Sequence, residues 1–245
     1  MIGIVDSGLG GLKTCFTLRE KHPETSFVVL ADQKNAPYGD KTRDEIYEIA
    51  YRNIKWFKDR GIHEVIVACN TVCSTVLDEL QKEFPDMKLY NIISATLEEL
   101  KKKRYKGIVV LATAATTRSM KYENGLKGIF PGRKVYPVAP KELVPLIESG
   151  ASSKEIEDLL KGYLADYQGK ADAVLLGCTH YPLASKEIKK ALPVKQYDPN
   201  DAIEKTVSFH QDENPSLEVY TTGNPRLTSW QIFKLFHEDV EVKGI

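Results

Sequence analysis

Short apolar runs alternate with amphipathic ones along this chain, and that alternation narrows the fold more than any other feature. Met1–Val5, Phe27–Leu30, Val65–Ala68, Ile108–Leu111, Ala173–Leu176 and Leu217–Thr221 are apolar, mostly β-branched, and read as strands. Helical patterns fill the gaps. Thr42 and Glu45 form a capping box that opens a helix with Ile46, Ile49, Ile54 and Phe57 on one side, ending at Gly61. Further helices are expected from about Leu12 to His22, from Thr71 to about Phe84, over Thr96–Arg104 with Thr96 and Glu99 as its capping pair, over Ser152–Tyr167 with Ser152 and Glu155, and over Leu227–Phe236. Strands alternating with helices require crossover connections and therefore parallel sheet. Near-continuous apolar strands fit sheets covered on both faces.

One internal similarity organises the chain. Val65–Thr71 and Val174–His180 share a plan: an apolar strand, a small residue, a cysteine, then hydrogen-bonding side chains before a helix. Met1–Ser7 and Gly107–Thr113 share a weaker one, a strand followed by hydroxyls. With 245 residues available, the expectation is an α/β protein of two similar three-layer domains with mostly parallel sheets and a site in the cleft between them. Residues 1–92 together with 203–245 would form one domain, and 93–202 the other.

Composition removes several function classes. Lys plus Arg number 34 and Asp plus Glu 34, a formal net charge of +0, which argues against a surface built mainly to hold nucleic acid or anionic lipid. No apolar run approaches the roughly 18 residues that span a membrane, and the first residues lack the pattern of a signal peptide. Four cysteines are too sparse for a disulfide scaffold, so a cytosolic protein with reduced thiols is expected.

In open parallel sheets ligands bind beyond the carboxyl ends of the strands. Four loops fall there: Asp6–Gly11, Cys69–Thr71, Thr113–Thr117 and Cys178–Tyr181. They carry a carboxylate, two thiols, an imidazole, an amide and several hydroxyls, and each helix that follows offers free N–H groups to an anion. The two cysteines lie one per half. Thiols facing each other across a single carbon suit inversion, one removing a proton and the other returning it from the far face. Asp6 and His180 are candidate helpers. Other readings of these residues compete. Buried cysteines usually serve packing, and Cys15 (in mid-helix) and Cys73 (one turn from Cys69) are assigned to it. Asp6 could merely cap a turn. His22, His63, His210 and His237 read as surface or core histidines. Gly8-Leu9-Gly10-Gly11 is neither a Walker loop nor a full dinucleotide fingerprint. Cys69, Cys73, Cys178 and His180 offer four zinc-type ligands, but at the wrong spacing for a zinc site, and Cys-x-x-x-Cys is not the redox motif.

These motifs carry a family resemblance. Ile4–Gly11, Ala36-Pro37-Tyr38-Gly39, Ala68-Cys69-Asn70-Thr71, Val144–Glu148, Gly177–Pro182 and Tyr220–Gly223, in this order, resemble the cofactor-independent glutamate racemases of the aspartate/glutamate racemase superfamily. The resemblance covers nearly the whole chain. It implies two α/β domains around an interdomain site, with no pyridoxal phosphate and no metal. It implies that Cys69 deprotonates D-glutamate and Cys178 L-glutamate, with Asp6 supporting Cys69, His180 supporting Cys178, and Glu148 assisting. Ser7, Tyr38, Gly39, Asn70, Thr71 and Thr179 match substrate-holding positions, and Thr113, Thr116 and Thr117 belong to the same set. It implies a cytoplasmic homodimer that takes a small-molecule substrate and supplies D-glutamate to peptidoglycan.

The chain departs from the family in two places. Asp32-Gln33-Lys34-Asn35-Ala36 replaces an Asp-Thr-Ala-Arg-like run in the loop that closes over the substrate's side-chain end, and Ala139 stands where a non-catalytic cysteine is common. An aspartate-specific relative, a decarboxylase-like or hydantoin-racemase-like relative, and a non-catalytic binding protein are the alternatives. The decarboxylase type keeps one cysteine, and a pure binder needs no paired acid and base.

Overall fold

The computed structural model describes residues 1–245. Ten strands alternate with twelve α-helices. The strands are β1 (Ile2–Asp6), β2 (Phe27–Ala31), β3 (Glu64–Val67), β4 (Lys88–Asn91), β5 (Gly107–Ala112), β6 (Lys134–Val138), β7 (Ala173–Gly177), β8 (Lys195–Tyr197), β9 (Leu217–Thr221) and β10 (Val242–Gly244). The helices are α1 (Gly10–Lys21), α2 (Arg43–Lys58), α3 (Asn70–Thr75), α4 (Leu77–Glu83), α5 (Ile92–Leu100), α6 (Ala114–Ser119), α7 (Lys121–Ile129), α8 (Leu143–Ser149), α9 (Ser153–Leu164), α10 (Ser185–Ala191), α11 (Pro199–Glu204) and α12 (Pro225–Phe236).

They build two sheets, one in the order β10-β9-β2-β1-β3-β4 and one in the order β6-β5-β7-β8. Every strand pair is parallel. β1, β2, β5 and β7 are buried along their whole length, as their unbroken apolar runs require of strands covered on both faces. No helix is long and apolar enough to cross a membrane.

The strand order places the site. In the first sheet the chain moves from β1 outward to β2, then crosses back to lay β3 on the other side of β1. In the second it moves from β5 outward to β6, then crosses back to lay β7 beside β5. Each reversal opens a crevice at the carboxyl ends of the strands involved, where no helix covers the loops. β1 ends in Asp6, Cys69 follows β3 by two residues, and Thr113 and Cys178 come directly after β5 and β7. The internal similarity in sequence is thus the signature of two switch points.

Local signals explain many of the element ends. Thr42 and Ser152 both make full capping boxes, with Glu45 and Glu155. Ile46, Ile49, Ile54 and Phe57 are the buried face of α2. The capping pair expected at Thr96 and Glu99 is overturned. Helix α5 starts earlier, at Ile92, where Asn91 accepts from the N–H groups of Ile93 and Ser94. Thr96 is buried inside that helix and donates to the Ile92 carbonyl, and Glu99 pairs instead with Lys103 and Lys205. The single helix expected between Thr71 and Phe84 is broken at Val76, which ends α3 and begins α4.

The glycines after β1 act through close packing. A Cβ on Gly10 would overlap the Thr179 hydroxyl, one on Gly8 would lie 2.8 Å from Glu148 Oε1, and one on Gly11 would lie 2.5 Å from Asp6 Cβ. The loop leading into α1 therefore presses Gly8 and Gly10 against Glu148 and the segment after β7, and Gly11 against Asp6 of β1. Gly10→Ala should destabilise the protein by about 1–3 kcal/mol through overpacking. Gly128→Ala, in α7 with nothing within 4 Å, should be neutral or stabilising by about 0.5–1 kcal/mol. Thermal unfolding of the two variants checks the contrast; equal midpoints would refute the close-packing account.

Candidate active site

A cavity of about 440 Å³ lies between the two sets of strand ends. Cys69 and Cys178 both line it. They come from different sheets, β3 and β7, and they are close enough for the charge of one to act on the other. Ser7, Tyr38, Gly39, Asn70, Thr71, Thr113, Glu148, Thr179 and His180 line the same space. Asp6, Thr116 and Thr117 stand behind the wall. Asp6 is 1 % exposed and accepts from the Gly8 N–H at 3.1 Å and from Thr179 Oγ1 at 3.2 Å. Thr116 Oγ1 accepts from Thr113 Oγ1 at 3.0 Å, and the Thr117 hydroxyl is buried without a partner.

The two thiols have different surroundings. Cys69 lies two residues beyond β3, caps α3 and reaches Ser7 Oγ at 3.5 Å. Burial pushes its thiol up to about 12, and the Asp6 carboxylate adds to the rise. Burial likewise raises Asp6 above the ordinary carboxylate range, although His180 pulls the other way. This side of the cavity holds its protons. Cys178 Sγ lies 3.8 Å from His180 Nδ1, and His180 Nε2 lies 2.7 Å from Glu148 Oε1. Burial alone would lower His180, but its contacts with Cys178 and Glu148 dominate and hold it well above its usual value. Burial opposes ionisation of Glu148, yet the hydrogen bond from His180 keeps it below the usual range. Glu148 also accepts from the Leu9 N–H at 3.4 Å, at the positive end of α1. Cys178, His180 and Glu148 thus form a chain that stabilises a positive imidazole beside the sulfur.

Donors for an anion surround the thiols. Thr71 and Thr113 share a hydrogen bond of 2.9 Å across the cleft. Asn70 Oδ1 accepts from Tyr122 at 2.6 Å, while its Nδ2 is buried with no partner. An unsatisfied amide on a cavity wall needs an acceptor from a ligand or water. The Tyr38 hydroxyl is already engaged, donating to the fully buried Asp32. Asp32 also accepts from Asn35, Asn53 and Thr222, and this network fixes the loop that ends at Gly39. Sequence reasoning missed Gln33, Asp40, Lys141 and Gln231, which also line the cavity. A departure from the family pattern at Gln33 was the one available signal.

Cys15 and Cys73 are buried away from this space. The Cys73 thiol donates to the Val67 carbonyl at 3.1 Å, so the four residues of the zinc alternative do not converge. No group of three or more His, Cys, Asp and Glu side chains is arranged to hold a metal ion.

Comparison with known proteins shows the family. The family described as Asp/Glu/Hydantoin racemase matches residues 15–206. Glutamate racemase of Aquifex aeolicus is 36 % identical over 247 aligned positions, covering 99 % of this chain and 96 % of that protein. Among solved structures, glutamate racemase of Francisella tularensis in complex with D-glutamate superposes with a TM-score of 0.92 at 27 % identity, covering 100 % of this chain and 96 % of that one. The enzyme of Aquifex pyrophilus gives 0.83 at 34 % identity, covering 99 % and 97 %. Fold and relatives together define an isomerase of the racemase class. Within it, the chain belongs to the Asp/Glu/hydantoin racemase family.

The Glu148–His180 contact carries a titration consequence. A histidine raised in the folded state contributes stability that is fully present below its unfolded value, ~6.5, and is lost as pH rises through the folded value. Glu148→Gln removes the negative partner, so the His180 titration midpoint, followed by NMR of labelled histidine, should fall toward 6.5. A midpoint unchanged by the substitution would show that Glu148 does not hold the proton there.

Proposed function

We propose that this protein interconverts L- and D-glutamate by moving the α-proton between Cys69 and Cys178, without a cofactor. The observation that carries the reading is the placement of two thiols, one from each sheet, on one cavity rich in hydrogen-bond donors. Membership of the racemase family and the names of the relatives support glutamate as substrate.

In the direction from L- to D-glutamate, Cys178 as thiolate takes the proton from Cα and the C–H electron pair stays on that carbon. The Cys69 thiol then delivers its own proton to the opposite face, and its electron pair stays on sulfur. The reverse reaction exchanges the two roles. The surroundings fit this division, because Cys69 retains its proton and His180 places a positive charge beside Cys178. Asp6 supports Cys69, and His180, backed by Glu148, supports Cys178. The free Asn70 amide, the hydroxyls of Ser7, Thr71, Thr113 and Thr179, and the Tyr38–Gly39 segment hold the carboxylates and the amino group. Thr116 and Thr117 act from behind, through Thr113 and α6. Charge developing at the α-carbon is spread into a carboxylate held by such fixed donors, which is where electrostatic catalysis gains most. On this reading, residues 1–92 with 203–245 supply Cys69, and residues 93–202 supply Cys178. The enzyme works as a cytosolic homodimer and supplies D-glutamate for peptidoglycan.

Cys69→Ser and Cys178→Ser should each lower racemisation by about 100-fold or more, the range lost with a general acid or base, and leave the unfolding temperature unchanged. Circular dichroism of each enantiomer, in a panel of acidic and neutral amino acids with nothing else added, measures this. In heavy water, deuterium should enter the α-position as inversion proceeds. Wild-type-like rates in either variant would refute the two-thiol scheme; turnover of aspartate with none of glutamate would reassign the substrate.

A further inference from the structure

The orientation of the Asn70 amide has its cause on the other side of the molecule. Asn70 opens α3, directly after Cys69, and is buried on the cavity wall. Its Oδ1 accepts from the hydroxyl of Tyr122 at 2.6 Å, while its Nδ2 has no partner in the protein. Tyr122 lies on α7, which packs on β6 of the second sheet. The distance decides which end of the amide meets the phenol. A separation of 2.6 Å belongs to an O–H···O bond, whereas N–H···O bonds are commonest at ~2.9–3.0 Å. Tyr122 therefore gives its proton to the amide oxygen, and the NH2 group is what remains for the cavity. Burial pushes the Tyr122 phenol up, so the hydroxyl keeps the proton that it donates.

Tyr122 is itself held rigidly. It is fully buried and does not line the cavity. Its ring packs against Gly177, where a Cβ would lie 3.2 Å from Tyr122 Cε2, and Gly177 directly precedes Cys178. One side chain thus touches the residue after Cys69 and the residue before Cys178. The backbone turns sharply to bring it there. Met120, between α6 and α7, has a left-handed conformation with φ 55°, which residues with a Cβ adopt only when their surroundings hold them in it. The anchor matters because the two ends of an asparagine amide have nearly the same shape, and the hydrogen bonds around them decide which way they point. Turned over, Asn70 would present a carbonyl oxygen to the cavity and repel an anion.

We propose that Tyr122 is a positioning residue for substrate binding, which fixes the Asn70 amide so that a donor and not an acceptor meets a carboxylate of the substrate. The proposal rests on the glutamate reading above and adds a residue outside the cavity wall that acts through Asn70. Tyr122→Phe keeps the ring against Gly177 and removes only the hydroxyl. It should lower kcat/KM for glutamate about threefold to tenfold, the worth of one neutral hydrogen bond. Asn70→Ala should lower it about tenfold to a hundredfold, the worth of a hydrogen bond to a charged group. Adding Tyr122→Phe to Asn70→Ala should then cost nothing further, because no amide is left to orient. A residue that merely supported the fold would carry its loss into both backgrounds. In wild-type protein the Asn70 side-chain amide signals, assigned by their loss in Asn70→Ala, should shift when D-glutamate is added, and at equal D-glutamate they should shift less in Tyr122→Phe. A loss below threefold in Tyr122→Phe, or one as large in the Asn70→Ala background as in wild type, would overturn this proposal and leave the glutamate reading intact. Where Tyr122→Phe does not fold, Asn70→Asp decides: it keeps an acceptor for Tyr122 but turns a second acceptor to the cavity, so its loss should exceed that of Asn70→Ala, and a smaller loss overturns the proposal. If the Asn70 signals do not move and no glutamate is turned over by wild-type protein, the glutamate reading fails and takes this inference with it.

Discussion

The bridge between the β1–α1 loop and the segment Thr179–His180 is the contact on which the rest depends. Thr179 donates to Asp6, Glu148 joins the Leu9 N–H to His180, and the glycines at 8 and 10 leave no room for side chains between them. These contacts fix the carboxyl ends of the two sheets against one another. Without them the two switch points would still form, because each belongs to its own sheet. They would not share a cavity, however, and the two sulfurs would not line one space. A glycine-rich loop that matches neither phosphate-binding motif serves here as a close-packed seam between the two sheets.

The electrostatics of the cleft follow from the same bridge. Asp6 and His180 influence each other across it, yet burial affects them in opposite senses relative to their work. A buried carboxylate near Cys69 keeps protons on that side. On the other side burial alone would strip His180 of its proton, and only the carboxylate of Glu148 and the sulfur of Cys178 reverse that. Glu148 does this from a position 23 % exposed, at the edge of the cavity, where water can help to solvate its charge.

Much of this architecture was legible in the sequence because its central strands are buried on both faces and read as unbroken apolar runs. β4, β8 and β10 escaped for the converse reason. So did β6: all four lie at sheet edges and carry Lys88, Lys134, Lys195 and Lys243, the polar character that protects an edge from further pairing. The capping boxes at Thr42 and Ser152 were readable because both partners are exposed at a true helix start. Thr96 and Glu99 have the same spacing inside a helix, where a threonine hydroxyl turns back to its own backbone, and spacing alone does not separate the two cases. Among the site residues, the strand-end cysteines and their neighbours were visible as a repeated plan. Gln231 was not, since a glutamine on an amphipathic helix carries no signal until Gln33 is seen beside it.

A pseudo-symmetric fold poses a particular problem for the proposed reaction. Enantiomers are mirror images, and two related halves give each face a thiol at an equivalent strand end, so near-symmetry comes at little cost from the repeated plan. The substrate is not symmetric about its α-carbon, however, since one arm is a carboxylate and the other a longer side chain. Some elements must therefore belong to one half only. Three elements differ between the cysteine-bearing ends: Glu148 on α8, the Asp32–Tyr38 network behind the Gly39 loop, and the pair of glutamines that ties this loop to α12. On the proposed reading the halves supply the two thiols, and these elements set one end apart from the other, Glu148 through His180 and the Asp32–Tyr38 network by fixing the Gly39 loop.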